Sequence, residues 1–401
     1  MKSSPRLALY VIEVSFEQGY RGRLDPSFKG FTLSDVLKTT PLFPNLSRVE
    51  VIGDLLDWNI MYIAPPPIES RQKIDVLRIS KGTIPSDSLE SILGHLDAQT
   101  LRMSSSFIEL SETHDLDTWI PEPALCSTLR RLDVDTLLIS IHDSQTGISR
   151  SEPFLSSFVG AGLQSLRMSG RSELWDTTGQ RDQGITSLVE YLDSGSGQHL
   201  TDLHVHCTPS FFASFDEDEQ SSDPFGPMPR ALKAVDLSRR CPQLRTLSVA
   251  VQLFRFSDNP MDHLSAWRFA LRFISSTRPE SLVRVSIYFL CDMLRFRAIS
   301  INSTVFPFLN WKHVDDHLSR CPSLNALHLA PRWNDGTSRP RDLPRTFPLD
   351  AFLKEKMPMA ATRGIIQVAP YRPLPKEQHP DDVEYERQMA LALDKAEFQD
   401  E

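Results

Sequence analysis

One short pattern recurs along this chain and constrains its fold more than any other feature. An apolar residue is followed by two variable residues, a second apolar residue, one variable residue and a third apolar residue. The copies are Leu46–Val49–Val51, Ile74–Leu77–Ile79, Leu129–Leu132–Val134 and Leu163–Leu166–Met168, then Leu200–Leu203–Val205, Leu244–Leu247–Val249, Leu282–Val285–Ile287 and Leu324–Leu327–Leu329. Ala98–Leu101–Met103 is a weaker copy. The second and third apolar residues alternate with polar ones, which is the period of a half-buried strand, and the first packs at the strand entrance. Successive middle positions are 28, 24, 31, 34, 37, 44, 38 and 42 residues apart.

Helix-like stretches precede most copies: LSDVLKTT, PSDSLESILGHL, GITSLVEYLD, RALKAVDLSRRCP, LSAWRFALRFISSTRP and WKHVDDHLSRCP. Several carry apolar residues three and four apart, the mark of an amphipathic helix. Ser86 is the expected N-cap before Leu89. Pro242, Pro279 and Pro322 end three of these stretches, because proline disfavours helical geometry in the residue before it. Helix followed by strand, repeated with right-handed crossovers, builds a parallel sheet with helices outside. Each unit leaves an apolar face that only its neighbours cover. The fold class expected is therefore α/β, an irregular solenoid with parallel strands on the concave face and helices on the convex face.

The segments CPQLRTLSV and CPSLNALHL, each after a Leu/Ser/Arg helix end, resemble leucine-rich repeats, and more narrowly the degenerate repeats of fungal F-box proteins. The resemblance covers residues 4 to 371. These units are longer than the ~20–29 residues of standard repeats, and the usual repeat asparagine is largely missing. The resemblance implies a role as the substrate-binding part of an F-box subunit in a cullin–RING ubiquitin ligase. It also implies an N-terminal F-box that docks on a Skp-type adaptor. That module reads as Leu-Pro, then amphipathic helices and a Trp, and the sequence contains no such stretch. Residues 6–16 read as a strand, and PRLALYV is similar to the segment that follows the F-box helices. The expectation is that the F-box lies upstream of this start or is missing from a shortened relative. A Skp-type adaptor is thus a partner only if an upstream F-box exists.

Residues 1–371 are read as one repeat body. Stretches 140–152, 213–229 and 331–348 are read as loops, the second being acidic and poor in apolar residues. LDAFLKEKMPMAATRGIIQV reads as a closing helix and strand. Residues 372–401 are a Pro-rich linker and a charged tail, disordered or a short helix. The chain has 43 basic and 52 acidic residues, a net charge of −9, which argues against non-specific contact with nucleic acid or anionic membrane. No apolar run approaches the ~18 residues of a membrane span. Five scattered cysteines, an odd number, fit a reducing compartment, cytoplasmic or nuclear.

Parity names the binding candidates. If the apolar strand positions point inward, their neighbours point to solvent. The outward centres are Glu50, Arg78, Arg102, Asp133, Arg167, His204, Ser248, Ser286 and His328, with flanks including Arg48, Arg131, Asp135, Asp202, His206, Arg284 and Tyr288. Arg78, Arg102, Arg131 and Arg167 form a basic band suited to an acidic or phosphorylated segment, since guanidinium pairs bidentately with carboxylate and phosphate. The competing reading is a solvated face whose arginines pair with Asp133, Asp135 and Glu50. Together with Asp133, His204, Tyr288 and His328, the band forms the partner-binding set. His204 and His206 share a strand face beside Cys207, but zinc needs four ligands, or three and water, and no third ligand stands at a recognised spacing. No metal or cofactor is expected. Cys241 and Cys321 read as buried helix-end residues. The chain lacks GxSxG, a Gly-rich phosphate loop, HExxH and CxxC, so a non-enzyme is expected.

The tail EYERQMALALDKAE is similar to the ubiquitin-interacting motif, with Glu384 and Glu386 as its acidic start and Ala390 as its small central residue. Arg387 and Asp394 depart from that pattern and favour a plain amphipathic tail. Two functions follow from these readings. One is a non-catalytic recognition solenoid with the ligase role that the resemblance implies. The alternative is a repeat scaffold for protein interaction with no ubiquitin link.

Overall fold

A computed structural model of the chain describes residues 8–16, 32–52, 66–109, 128–134, 141–142, 149–150, 155, 158, 162–168, 183–207, 235–252, 260–291, 309–333 and 349–368. The protein is α/β, and it falls into two compact units. The first comprises Met1–Val205 and Arg230–Arg245, the second His206–Pro229 and Thr246–Glu401.

In the first unit the strands are β1 (Glu13–Phe16), β2 (Arg48–Ile52), β3 (Gln72–Pro85), β4 (Leu96–Glu109), β5 (Arg131–Val134), β6 (Ile141–His142), β7 (Ser149–Arg150), β8 (Ser165–Met168) and β9 (Asp202–Cys207). They run in the order β1-β2-β3-β4-β5-β8-β9, every pair parallel. The stretch 140–152, expected as a loop, carries β6 and β7, which pair antiparallel, with β6 also beside β4. The expected strand 6–16 shortens to β1, because the backbone turns before it, Val11 N–H donating to the Ala8 carbonyl.

The core row of this unit is one residue per strand. Val14, Val49, Leu77, Leu101, Leu132, Leu166 and Leu203 stand in register across the sheet. From Val49 to Leu203 every one of them is buried. A fully buried Leu or Val side chain contributes roughly 1.5–3 kcal/mol, so this row supplies much of the force that holds the strands side by side. The weak copy Ala98–Leu101–Met103 is as buried as the strong ones. The strand entrances repeat a hydrogen-bond pattern too. The carbonyls of Ile12, Ser47, Arg130 and Gln164 each accept from two successive backbone N–H groups of the next strand's start.

The helices of the first unit are α1 (Leu33–Thr39), α2 (Ser86–His95), α3 (Gln183–Asp193) and α4 (Leu237–Arg240). Thr32 and Asp35 form a reciprocal capping box on α1. Ser86, expected as the N-cap of α2, is instead its first helical residue and is buried. Pro85 holds the cap position, because β3 runs into the helix with no intervening loop. Helix α2 packs on β3 and β4 through Leu89, Ile92 and Leu93. Near α4, a Cβ at Gly197 would stand 2.7 Å from the Arg240 carbonyl oxygen, so only glycine fits there. Arg240, almost wholly buried, donates from Nε and Nη2 to both carboxylate oxygens of Asp193 at 2.6 and 2.8 Å.

The second unit holds β10 (Thr246–Gln252), β11 (Arg284–Cys291), β12 (Ala326–Trp333) and β13 (Ile366–Val368), again parallel and in chain order. Leu247, Val285, Leu327 and Ile366 form its buried row. Strand β12 extends to Trp333, into the stretch expected to open a loop at 331. Helix α5 (Pro260–Ser275) packs on β10 and against α6 (Trp311–Ser319), where the rings of Trp267 and Trp311 lie 6.2 Å apart. The closing helix divides into α7 (Leu349–Lys356) and α8 (Pro358–Thr362), since Pro358 cannot donate the hydrogen bond that would continue the first. Among the described residues no helix is long and apolar enough to cross a membrane.

Candidate functional site

The face opposite the core in the first unit carries a row of polar side chains in strict register. Ser15, Glu50, Arg78, Arg102, Asp133, Arg167 and His204 occupy matching positions on β1, β2, β3, β4, β5, β8 and β9. From Glu50 to His204 each lies between two buried apolar residues of its own strand, so the period of two that places leucine in the core places charge on the other face. Neighbouring strands lie about 4.8 Å apart, which brings these side chains within reach of one another. From Glu50 to His204 they are half-buried rather than fully solvated.

The ion pairs follow the row. Arg78 Nε is 3.3 Å from Glu50 Oε1. Asp133 is shared: Arg102 Nε lies 3.9 Å and Arg131 Nη2 4.0 Å from its Oδ2, and Arg167 Nε lies 3.6 Å from its Oδ1. Arg131 enters from the row two residues earlier on β5, aligned with Arg48, Val76, Thr100, Ser165 and Asp202. In that row Arg48 pairs with Glu13 at 3.3 Å. The Nε atoms of Arg131 and Arg167 are buried and reach no hydrogen-bond acceptor among the described residues. Their side chains are 43% and 36% exposed, against 17% for Asp133, so the guanidinium groups stand above the carboxylate toward solvent.

Of the eight partner-binding residues expected, the structure brings Arg78, Arg102, Arg131, Asp133, Arg167 and His204 together in the first unit. Tyr288 and His328 belong to the second, where their rings meet edge to face at 6.2 Å. The corresponding row there is Ser248, Ser286, His328 and Gln367, with no Arg, Lys, Asp or Glu. Ser286, expected to face solvent, is only 3% exposed, as is natural for a small side chain standing in register beside His328. Glu13 was not singled out by the strand pattern. Its part in the face depends on the β1–β2 register, for which no local motif exists.

Glu384, Glu386 and Ala390 of the tail lie outside the described residues, as does Asp135. Backbone places His206 and Cys207 on β9, and their side chains lie outside the described set. Among the described residues no group of three His, Cys, Asp or Glu stands together as a metal site. Cys241 and Cys321 are free thiols in the core. Burial pushes them up to about 12 and about 11, so neither supplies a thiolate at neutral pH. No family model matches the chain, and no curated protein matches it.

Proposed function

We propose that the chain is a non-catalytic recognition protein. In this reading it is an irregular leucine-rich-repeat solenoid that captures a protein partner on the polar face of its parallel strands. By the resemblance of its repeats, it supplies substrate choice to a cullin–RING ubiquitin ligase, with a Skp-type adaptor as partner only if an upstream F-box exists. The observation that carries the recognition reading is the ladder Glu50–Arg78–Arg102–Asp133–Arg167–His204. Six strands present one polar residue each at the same height, over a core that needs none of them. A surface with arginines at its centre has the side chain most enriched where proteins recognise carboxylate and phosphate.

The test is capture by cross-linking in native extract, comparing the wild-type chain with Arg102→Glu/Arg167→Glu. The reversal places three acids where one stood. Partners held through the ladder should fall at least about tenfold, while thermal unfolding shows the variant folded. An unchanged partner set would remove the face from the function. Direct binding of purified Skp-type adaptor to a chain extended through any upstream in-frame exon tests the ligase role separately. Partner capture with no adaptor binding by the extended chain would support the scaffold alternative.

A further inference from the structure

We infer that the open edge of β1 is a homodimer surface, on which the β1 strands of two copies pair antiparallel about a two-fold axis through Val14.

Strand β1 ends the sheet, and among the described residues it pairs only with β2. The Ile12 carbonyl accepts from the N–H groups of Ser47 and Arg48, so at Ile12 the backbone faces β2. Backbone groups alternate sides along a strand. Those of Val14 and Phe16 therefore also face β2, and those of Glu13 and Ser15 face the open edge. Such an edge is a template for another strand. Exposed apolar surface gathers at the same place. Of the large apolar side chains exposed among the described residues, Leu9, Tyr10, Ile12 and Leu42 share this end of the unit, and Met359 is the other. Asn45 Nδ2 donates to the Leu9 carbonyl at 2.7 Å, which ties the stretch before β1 to the turn that follows Leu42. Tyr10 is 80% and Ile12 64% exposed, an unfavourable contact with water that burial against a second surface removes.

The edge fits its own copy in one register. A sheet that continues across the edge keeps its apolar side chains on one face, so only residues of equal parity can stand opposite each other. Setting Glu13 opposite Glu13 brings like charges together, and a register centred on Ser15 sets Glu13 opposite Glu17 with the same result. A register that pairs Glu13 with Val11 needs residues 9–11 extended, and the backbone turns there, Val11 N–H donating to the Ala8 carbonyl. Centred on Val14, the pairing sets each Glu13 opposite the second copy's Ser15. Each such pair exchanges two N–H···O=C bonds, all from groups that point away from β2. Glu13 already has Arg48 at 3.3 Å, and the second copy's Ser15 hydroxyl is a further donor for its carboxylate. On the apolar face Val14 meets its own copy, and Ile12 meets the second copy's Phe16. A two-fold pairing closes on itself, so both β1 edges are covered at once.

The experiment is sedimentation equilibrium on the full chain over a concentration series. A short edge contact with a small apolar patch belongs to the weak class of interfaces, so a monomer–dimer equilibrium in about the micromolar range is expected. Ser15→Glu places like charges opposite each other on both sides of the axis and should weaken the dimer at least about tenfold. Ser15→Lys places opposite charges there and should tighten it about threefold at low salt. Ser15→Pro removes an N–H that points away from β2, so the strand should stay folded while the dimer is lost. Thermal unfolding checks that the variants fold as the wild type does. Should Ser15→Pro not fold, the two charge variants decide alone. A monomer at every concentration overturns the proposal. A dimer that Ser15→Glu and Ser15→Lys leave equally tight overturns it as well, because the copies would then meet elsewhere.

Discussion

His317 on α6 has one neighbour that fixes its protonation state. Thr277 donates its hydroxyl proton to the Ile274 carbonyl at 2.7 Å, so the 3.0 Å bond between Thr277 Oγ1 and His317 Nε2 needs a hydrogen on the imidazole. The ring is therefore the neutral tautomer with its proton on Nε2. Burial first, then the neighbouring Arg320 and His313, pull its pKa down to about 4. The sign of the pH effect follows. Between its ordinary value and about 4 the unfolded chain binds a proton that the folded chain refuses, so stability falls as pH drops through that window. Shifted from 6.5 to about 4, the group costs about 2 kcal/mol between pH 7 and pH 5. Replacing His317 with Gln, which keeps a donor toward Thr277, should remove about that much of the acid sensitivity in urea titrations at the two pH values. An unchanged difference would mean that other groups carry it.

At the scale of elements, the end of the second unit shows what a sequence can and cannot announce. Pro358 is visible as a break, and it divides α7 from α8. What holds α8 in place is not visible. Asp315, buried on α6, accepts from the backbone N–H groups of Met359 and Ala360 at 3.0 and 2.8 Å. Arg363 donates to the carbonyls of Leu318, Cys321 and Leu324, at and just beyond the C-terminal end of α6. These bonds join residues about forty positions apart. Asp315→Ala would leave two N–H groups of a short helix without acceptors and should cost about 3 kcal/mol. Hydrogen exchange should show the Ala360 amide losing protection first, whereas a uniform loss across the unit would argue against a local cap. The strands were legible because a period of two records which face is buried, so Leu77, Leu101 and Leu132 and their polar neighbours could be named from spacing alone. Register was not legible. The connections between strands run through 24 to 44 residues per repeat, and no local rule says that three arginines meet at Asp133 while Arg48 meets Glu13. Ser86 misled for a related reason: capping chemistry at a helix start assumes a loop before it, and here a strand runs straight in.

For the whole molecule, the ladder is a local exception to the sign of the chain. The net charge is −9, so an acidic or phosphorylated segment is repelled by the protein at long range and attracted only by the arginine cluster. Salt separates the two forces because they act over different distances. At about 0.01 M ionic strength the Debye length is about 30 Å, and the charge of most of the molecule reaches an approaching partner. At about 0.15 M it is about 8 Å, which screens that repulsion but spares half-buried guanidinium groups only a few ångströms from their ligand. Near 1 M it falls to about 3 Å, and the cluster is screened as well. Affinity for an acidic peptide should therefore rise from low to physiological salt and fall again beyond it. A site that simply neutralised phosphate on a basic protein would weaken monotonically instead. Arg102→Glu/Arg167→Glu, which takes the net charge from −9 to −13 by exchanging two positive for two negative side chains, should show no maximum at any salt. A monotonic decline in the wild-type chain would mean that attraction by the cluster outweighs the long-range repulsion at every salt concentration.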